Sequence, residues 1–292
     1  MNPQIEQLNP VVLNTGLALH DADWNWKNVY SPFTRLYYVT EGEAQVELED
    51  GLHDLTPGHL YIIPAFCRHT NICHGPFVHY YLHLYEDSRM DENLLEQWNF
   101  PFEIEAGRLE LELFRRLCEI TPQMKLPQSD PTTYDNHPTL VKTLAKNQQL
   151  AFCDKVESRG IVLQLLARFF RKAQRKHTAK DERIGKAITY IRQHMDEEIS
   201  LEVLANRAYL SKDHFIRLFK QEMNMTPLKY INLKKIEKAQ LILATEDLPV
   251  KEVAYCLAFE DDSYFSRLFK KMTGMTPQEY RSNIYKTGNQ RQ

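Results

Sequence analysis

The 292-residue sequence predicts an α+β protein of two domains: a β-rich N-terminal domain with accompanying helices, then an all-α C-terminal domain. Three observations predict it. Short runs rich in Tyr, Val, Ile and Phe, separated by turn residues, fill residues 29–86. From about residue 90 the runs lengthen and take on helix-forming composition. Near the C terminus FIRLFKQEMNMTPLKY, residues 215–230, returns as FSRLFKKMTGMTPQEY, residues 265–280. A core that needs only apolar residues has no reason to keep an Arg and a Lys at fixed places in both copies, so the repeat encodes a surface as well as a fold.

The domains are placed at 1–176 and 177–292, with a barrel or sandwich over about 10–88 and helices over about 89–174. The linker is QRKHTAKDE, residues 174–182, which is polar, charged and free of apolar periodicity. With 43% hydrophobic and 26% charged residues, the composition excludes disordered and fibrous classes. The start, MNPQIEQLNP, lacks the pattern of a signal peptide, and no apolar run approaches the roughly 20 residues of a membrane helix. Five scattered cysteines, Cys67, Cys73, Cys118, Cys153 and Cys256, argue against a disulfide framework and for a reducing cytoplasm. Net charge is −3. Residues 1–180 hold 18 basic against 23 acidic side chains, and residues 181–292 hold 18 against 16. Binding to nucleic acid must therefore rest on local clusters rather than a global field.

In the first part, RLYYVTEG, AQVELEDG, HLYIIPAF and FVHYYLHLY are the strand candidates, punctuated by Glu41-Gly42, Asp50-Gly51, Pro57-Gly58 and Gly75-Pro76. Alternation along the last run puts His79, Tyr81, His83 and Tyr85 on one face and Tyr80, Leu82 and Leu84 on the other. A face of imidazoles and phenols suits a cavity that hydrogen-bonds and stacks on a polar ligand. Arg35, Tyr37 and Glu41 have the same character, so the candidate ligand set is Arg35, Tyr37, Glu41, His79, Tyr81 and His83. The opposite parity, with the leucines inside and the histidines wet, fits the same pattern. Trp24 and Trp26, just before the strands, form either an arm over the barrel mouth or plain packing. CRHTNICH brings Cys67, His69, Cys73 and His74 close in sequence, but in no common zinc spacing. No nucleophile–base set and no phosphate-cradling glycine loop stands out, so no catalytic residue, metal or cofactor is expected.

Two helices follow, over 106–120 and 156–173. Between them lies a broken stretch with prolines, TPQMKLPQSDPTTYDNHP. The second helix is apolar on more than one side through Ile161, Val162, Leu163, Leu165, Leu166, Phe169 and Phe170, which predicts one side on the barrel and the other on a second copy of the chain.

The repeated unit reads as structure. Ser200 caps a short helix LEVLANRA, a tight turn follows, and Ser211 caps KDHFIRLFKQEM. Phe215, Leu218 and Phe219 make a core stripe, while Lys212, Asp213, Ile216, Arg217 and Lys220 lie on other faces. The second copy repeats this, with Phe265, Leu268 and Phe269 inside and Asp262, Ser263, Ser266, Arg267 and Lys270 outside. Asn224 and Gly274 stand where a left-handed C-cap ends each helix. Thr226-Pro227 and Thr276-Pro277 start the next one, with Glu279 completing a capping box. Two helices joined by a tight turn, the second presenting a fixed Arg, form a helix-turn-helix signature. Such an Arg can grip a guanine through two hydrogen bonds, while nearby lysines neutralise phosphates. The helix between the copies, PLKYINLKKIEKAQLILAT, is long enough to set two reading helices in successive major grooves.

On these residues, 185–285 resemble the DNA-binding domain of the AraC/XylS family of bacterial transcription regulators. The likeness is concentrated in VKEVAYCLAFEDDSYFSRLFKKMTGMTPQEYR, residues 250–281. The resemblance implies base and phosphate contacts from Lys212, Asp213, Ile216 and Arg217, then Asp262, Ser263, Ser266 and Arg267. Two departures stand out: Ala258 replaces the family's usual glycine before Phe259, and Asp213 is an acid at a reading position. Residues 36–69, with the Gly42 and Pro57-Gly58 turns and the IIP run, resemble the cupin-like effector domain common in the family, and the helices after it resemble the part often used for dimerisation. The resemblance implies a cytoplasmic homodimer that binds double-stranded promoter DNA, answers a small effector such as a sugar, engages RNA polymerase and activates a catabolic operon. A metal-dependent cupin enzyme with a DNA-binding tail, or a non-enzymatic interaction module built on the repeat, are the other classes.

Overall fold

A computed structural model describes residues 5, 8–86, 94–135, 137–176 and 181–283. They form two compact units, one of residues up to 175 and one of residues 176–283.

The first unit holds ten strands: β1 (Pro10–Asp21), β2 (Thr34–Gly42), β3 (Ala44–Leu48), β4 (Gly51–Leu55), β5 (His59–Ile63), β6 (Thr70–Ile72), β7 (Pro76–Glu86), β8 (Trp98–Asn99), β9 (Glu103–Glu105) and β10 (Gln174–Arg175). One sheet runs β1-β7-β2-β5-β9, a second runs β4-β3-β6, and β8 pairs with β10. The four expected strands are present, each within a few residues of its expected ends. β1 is an addition: Asn14, Thr15 and Gly16 interrupt its apolar run, and only its long antiparallel register with β7 reveals it as a strand.

The alternation of side chains divides the core. Leu36 and Tyr38, Leu60 and Ile62, and Leu82 and Leu84 face one way, onto Phe114 and Leu117 of α1 (Arg108–Ile120) and onto α4 (Phe152–Phe170). Tyr37 and Val39, Tyr61 and Ile63, and Phe77 and Tyr81 face the other way, toward Ala44, Val46 and Leu55 of the second sheet. Gly42 turns the chain at φ 71°, where a Cβ would sit 1.8 Å from the Pro76 carbonyl oxygen, so the close crossing of β2 and β7 excludes any side chain there.

Two expectations are corrected. Ile161, Val162, Leu165, Leu166 and Phe169 of α4 are all buried within the chain, and Leu163 and Phe170 pack against the same core. Phe170 also meets Trp98 and Phe100 edge-on. The apolar breadth of α4 is thus used inside its own domain, because the sheet on one side and α1 with the β8 segment on the other both need cover. The expected linker is also shorter at both ends. Gln174 and Arg175 pair with Asn99 and Trp98, and Asp181 caps the following helix, its carboxylate accepting from the Arg183 amide. The stretch with prolines contains a 3-10 turn at Pro122–Met124 and a short helix α2 (Pro131–Tyr134), then gives way to α3 (His137–Gln148).

The second unit is all helix: α5 (Glu182–Gln193), α6 (Leu201–Arg207), α7 (Lys212–Met223), α8 (Pro227–Thr245), α9 (Val250–Cys256), α10 (Asp262–Thr273) and α11 (Pro277–Asn283). Ser200, Ser211 and Thr226 each accept a hydrogen bond from a backbone amide in the first turn of their helix, and Thr276 with Glu279 closes a capping box. Asn224 and Gly274 are left-handed, at φ 54° and 85°. Phe215 and Phe219 are fully buried with Ile188, Leu204 and Ile231 in the first half; Phe265 and Phe269 are their buried counterparts in the second.

Candidate nucleic-acid interface and interior cavity

The second helices of the two helix-turn-helix motifs, α7 and α10, present the same surface. From 211 to 225 and from 261 to 275 the order of exposed, half-buried and buried positions is identical. Lys212, Asp213, Arg217 and Lys220 are exposed on α7, with Ile216 half-buried beside them. Asp262, Ser263, Arg267 and Lys270 are exposed on α10, with Ser266 half-buried. A helix with its first turn and one polar face free can enter a major groove and reach base edges there. His214 and Tyr264 belong to the same exposed first turn and were not singled out from sequence. Their place three residues after the cap was the available signal.

The two faces are not electrostatically alike. Lys212 is tied to Glu202 of α6, with Nζ 2.5 Å from Oε1. On α10, Asp261 caps the helix by accepting from the Ser263 amide, and its other oxygen lies 3.8 Å from Nη2 of Arg267. Glu260, Asp261 and Asp262 are all exposed at the start of that helix. This acidic edge discourages phosphate and places the attractive charge further along, on Arg267, Lys270 and Lys271.

The turns also differ. Tyr209 in the first and Ala258 in the second are both left-handed, at φ 54° and 48°. Counting on to the next helix cap, Leu210 alone precedes Ser211, whereas Phe259 and Glu260 precede Asp261. The second turn is therefore one residue longer. Ala258, where the family resemblance leads one to expect glycine, adopts the glycine conformation all the same.

In the first unit a cavity of about 250 Å³ opens on the inner face of β1, β7 and β2. Tyr37, His79, Tyr81 and His83 line it, together with His20, Trp24 and Tyr134. Of the two parities that sequence left open, the histidine face is the one turned inward. Residues 125–129 cross one side, where the Leu126 amide donates to the Tyr81 hydroxyl at 2.8 Å. The Tyr81 ring lies over Gly16, where a Cβ would meet its hydroxyl at 2.5 Å. Trp24 stands edge-on to Tyr37, with ring centroids 5.7 Å apart.

Burial governs the chemistry of this lining. It drives His79 and His83 well below the ordinary imidazole range, so both are neutral, and it lowers His20 against the pull of Asp23. It also raises the Tyr37 and Tyr81 hydroxyls. The Nδ1 atoms of His79 and His83 and Nε2 of His20 are buried without a protein partner. A nitrogen of this kind can bond water or any polar group that enters the cavity.

Arg35 and Glu41 are not among the cavity-lining residues. Arg35 is buried beside the cavity, its guanidinium donating to Ser31 Oγ at 2.8 Å and lying 3.5 Å from Asp135. Asp135 itself is pushed up to about 6 by burial, against the Arg35 charge. Arg35 thus holds the α2 segment rather than lining the cavity. Glu41 follows the register shift between Val39 and Glu41, which breaks the alternation, and its side chain is exposed. Trp24 and Tyr134 are cavity residues that sequence alone did not assign.

The CRHTNICH group does not converge. His69 is buried and held down to about 3, chiefly by desolvation, with Nδ1 on the Cys67 carbonyl, while Cys73 bonds the Gly75 carbonyl and His74 is exposed. Among the described residues, no group of three or more His, Cys, Asp and Glu side chains is arranged to hold a metal ion. Among them, too, no helix is long and apolar enough to cross a membrane.

A family model described as a helix-turn-helix domain matches residues 204–283. The probable transcriptional regulator LumQ of Photobacterium leiognathi is 34% identical over 103 residues, 35% of this chain and 42% of that protein. The arabinose operon regulatory protein of Escherichia coli (strain K12) is 34% identical over 107 residues, 36% of this chain and 37% of that one. The chain spans about two fifths of the length of these curated relatives. An uncharacterized HTH-type transcriptional regulator, YisR of Bacillus subtilis (strain 168), is 26% identical over 271 residues, 88% of each chain. Among solved structures, the DNA-binding domain of AdpA in complex with a target DNA is 29% identical over 38% of this chain and 96% of that one, with a TM-score of 0.33. Two capped helix-turn-helix motifs on one connecting helix, the matching domain model and regulators among the relatives agree: residues 204–283 are a helix-turn-helix domain, similar to that of the arabinose operon regulatory protein.

Proposed function

We propose that the protein is a ligand-responsive, sequence-specific regulator of transcription that binds double-stranded promoter DNA in the cytoplasm. The observation that supports this most is the duplicated exposed face of α7 and α10, identical in burial from cap to C-cap and different in its polar residues. Helix α8 has 19 residues, roughly 28 Å at ~1.5 Å each, a little less than one ~34 Å turn of DNA. Each unit then reads its own short sequence, and the bound site is asymmetric. Selection from random double-stranded DNA tests the reading: it should enrich a two-part motif, and enrichment of nothing defeats it.

The first unit is the sensor. Its cavity is smaller than the roughly 300–1,000 Å³ of pockets for drug-sized ligands. Neutral imidazoles, phenols and an indole favour a small uncharged guest with several hydroxyls and one face to stack, which describes a sugar. The regulator acts as a homodimer, supported by Phe152 and Val156, exposed one turn apart on α4. By family likeness it recruits RNA polymerase and activates a catabolic operon. A melting-temperature screen against sugars, polyols and aromatic acids tests the ligand class. A shift produced only by aromatic acids overturns the sugar assignment.

A further inference from the structure

Lys235 sits near the middle of α8 and is 5% exposed. A lysine there costs desolvation, and burial does lower its affinity for a proton. Its ammonium is hydrogen-bonded in two directions. Nζ donates to the carbonyl of Glu197 at 3.1 Å and to the carbonyl of Ala258 at 3.4 Å, and it lies 5.4 Å from the centre of the Phe259 ring. Asp196 and Glu198 add favourable charge from the first side.

The two carbonyls belong to different units. Glu197 lies in the connection from α5 to α6, ahead of the first helix-turn-helix. Ala258 is the left-handed corner of the second, one turn residue away from the longer loop that aims α10. Tyr230 and Ile231, earlier on α8, pack into the core around Phe215 and Phe219. Along the helix, Lys235 follows the anchor of the first unit and clasps the corner of the second.

We propose that Lys235 is a positioning residue that fixes the angle and separation between α7 and α10, and thereby the number of base pairs between the two sequences they read. The second motif already packs on α8 through α9, α10 and α11, with Ala239, Leu243 and Ala244 of α8 buried. Apolar packing of that kind has no strong direction, whereas a charged donor bonded to carbonyls on both sides adds a directional tie between the two motifs. The corner carbonyl it holds belongs to the residue that begins the approach to α10, so the clasp acts where a small rotation moves the reading helix most. Lys235 touches no DNA in this role; it acts through Ala258. This inference rests on the DNA-binding reading above.

The test is selection from random double-stranded DNA with the full chain, wild type against Lys235→Met, which keeps the apolar stem and removes the donors. The wild type should return two short sequences at one spacing. Lys235→Met should return the same two sequences with spacing spread over neighbouring values, its preference for the wild-type spacing over one base pair more reduced about tenfold, as loss of a charged hydrogen bond implies. If the lysine were merely stabilising, its loss would lower melting temperature and affinity while leaving the spacing single, and that result overturns the proposal. Lys235→Gln, which reaches one carbonyl at a time, serves if Lys235→Met does not fold; unchanged spacing preference there overturns it equally. A wild type that returns no two-part motif defeats the DNA-binding reading itself, and the proposal with it.

Discussion

Tyr209 and Ala258 hold the same left-handed corner in the two helix-turn-helix units, at φ 54° and φ 48°. Neither residue type is at ease there, because a Cβ crowds the following carbonyl. Tyr209 is 93% exposed, so it gives little burial in return. Ala258→Gly and Tyr209→Gly should each stabilise the domain by about 0.5–1 kcal/mol, the relief of strain less the extra freedom of an unfolded glycine. Thermal denaturation followed by circular dichroism should show a rise of a few degrees. A fall for both would mean that the corners are held by side-chain contacts rather than tolerated.

Asp261 both caps α10 and faces Arg267. Asp261→Asn keeps a good cap while removing the charge. Affinity for non-specific DNA should rise roughly three- to tenfold at low salt, with the gain shrinking as salt screens it. Fluorescence anisotropy measures this directly. Equal affinity across the salt range would show that the carboxylate does not restrain the arginine.

Arg267 and Lys270 are exposed on the same helix with different expected duties. Arg267→Ala should relax base preference at one or two positions, at a cost of about 1–3 kcal/mol. Lys270→Ala should weaken all sequences alike and reduce the slope of log affinity against log salt by about one. If both variants lose affinity uniformly, direct base reading by Arg267 is wrong.

The cavity offers a paired test. His83→Phe removes a buried nitrogen that has no partner in the protein. Gly16→Ala drives the Tyr81 hydroxyl away from the Leu126 amide. Both should weaken binding of the stabilising sugar at least about tenfold, the first by losing a hydrogen bond to the guest and the second by unseating residues 125–129. Calorimetric titration gives the comparison. A histidine variant that binds as well as wild type would place the guest elsewhere.

Glu86, at the end of β7, is pushed up to about 8, mainly by burial, although the Leu95 amide donates to it at 2.9 Å. Its unfolded counterpart titrates near 4.5. The folded chain therefore keeps a proton that the unfolded chain releases. The stability this group adds is full below 4.5 and is lost as pH rises through 8. Melting temperature of the first unit should fall between about pH 4.5 and 8, and Glu86→Gln should flatten that decline. An equally steep fall in the variant would assign the dependence to another group.

The second unit was legible in sequence because its signals are local. A cap, a C-cap and a proline each report on three or four neighbouring residues, and writing them twice removes the ambiguity. The rest depended on distance. Nothing near Arg35 announces Asp135, a hundred residues on, so an arginine already paired looked available for a ligand. Glu41 was misplaced because one irregularity in the β2–β7 register breaks a strict alternation. The apolar excess of α4 read as a surface for a second copy until Trp98 and Phe100, from a segment with no strong pattern of its own, came to cover it. Lys235 carries no signal in the sequence, since burial is a property of what surrounds it.

The alternation along β2 and β7 has a bearing on how such a protein changes over generations. Positions 37, 79, 81 and 83 line the cavity, while positions 36, 38, 80, 82 and 84 meet the helices. Substitutions at the odd positions can reshape the cavity and leave the helical core untouched, so its lining can change by small independent steps. Insertion of a single residue exchanges the two sets at once and destroys both. Change in the cavity lining is thus open to point mutation and closed to insertion, and duplicated copies of this gene would be expected to diverge at alternate codons of these two strands.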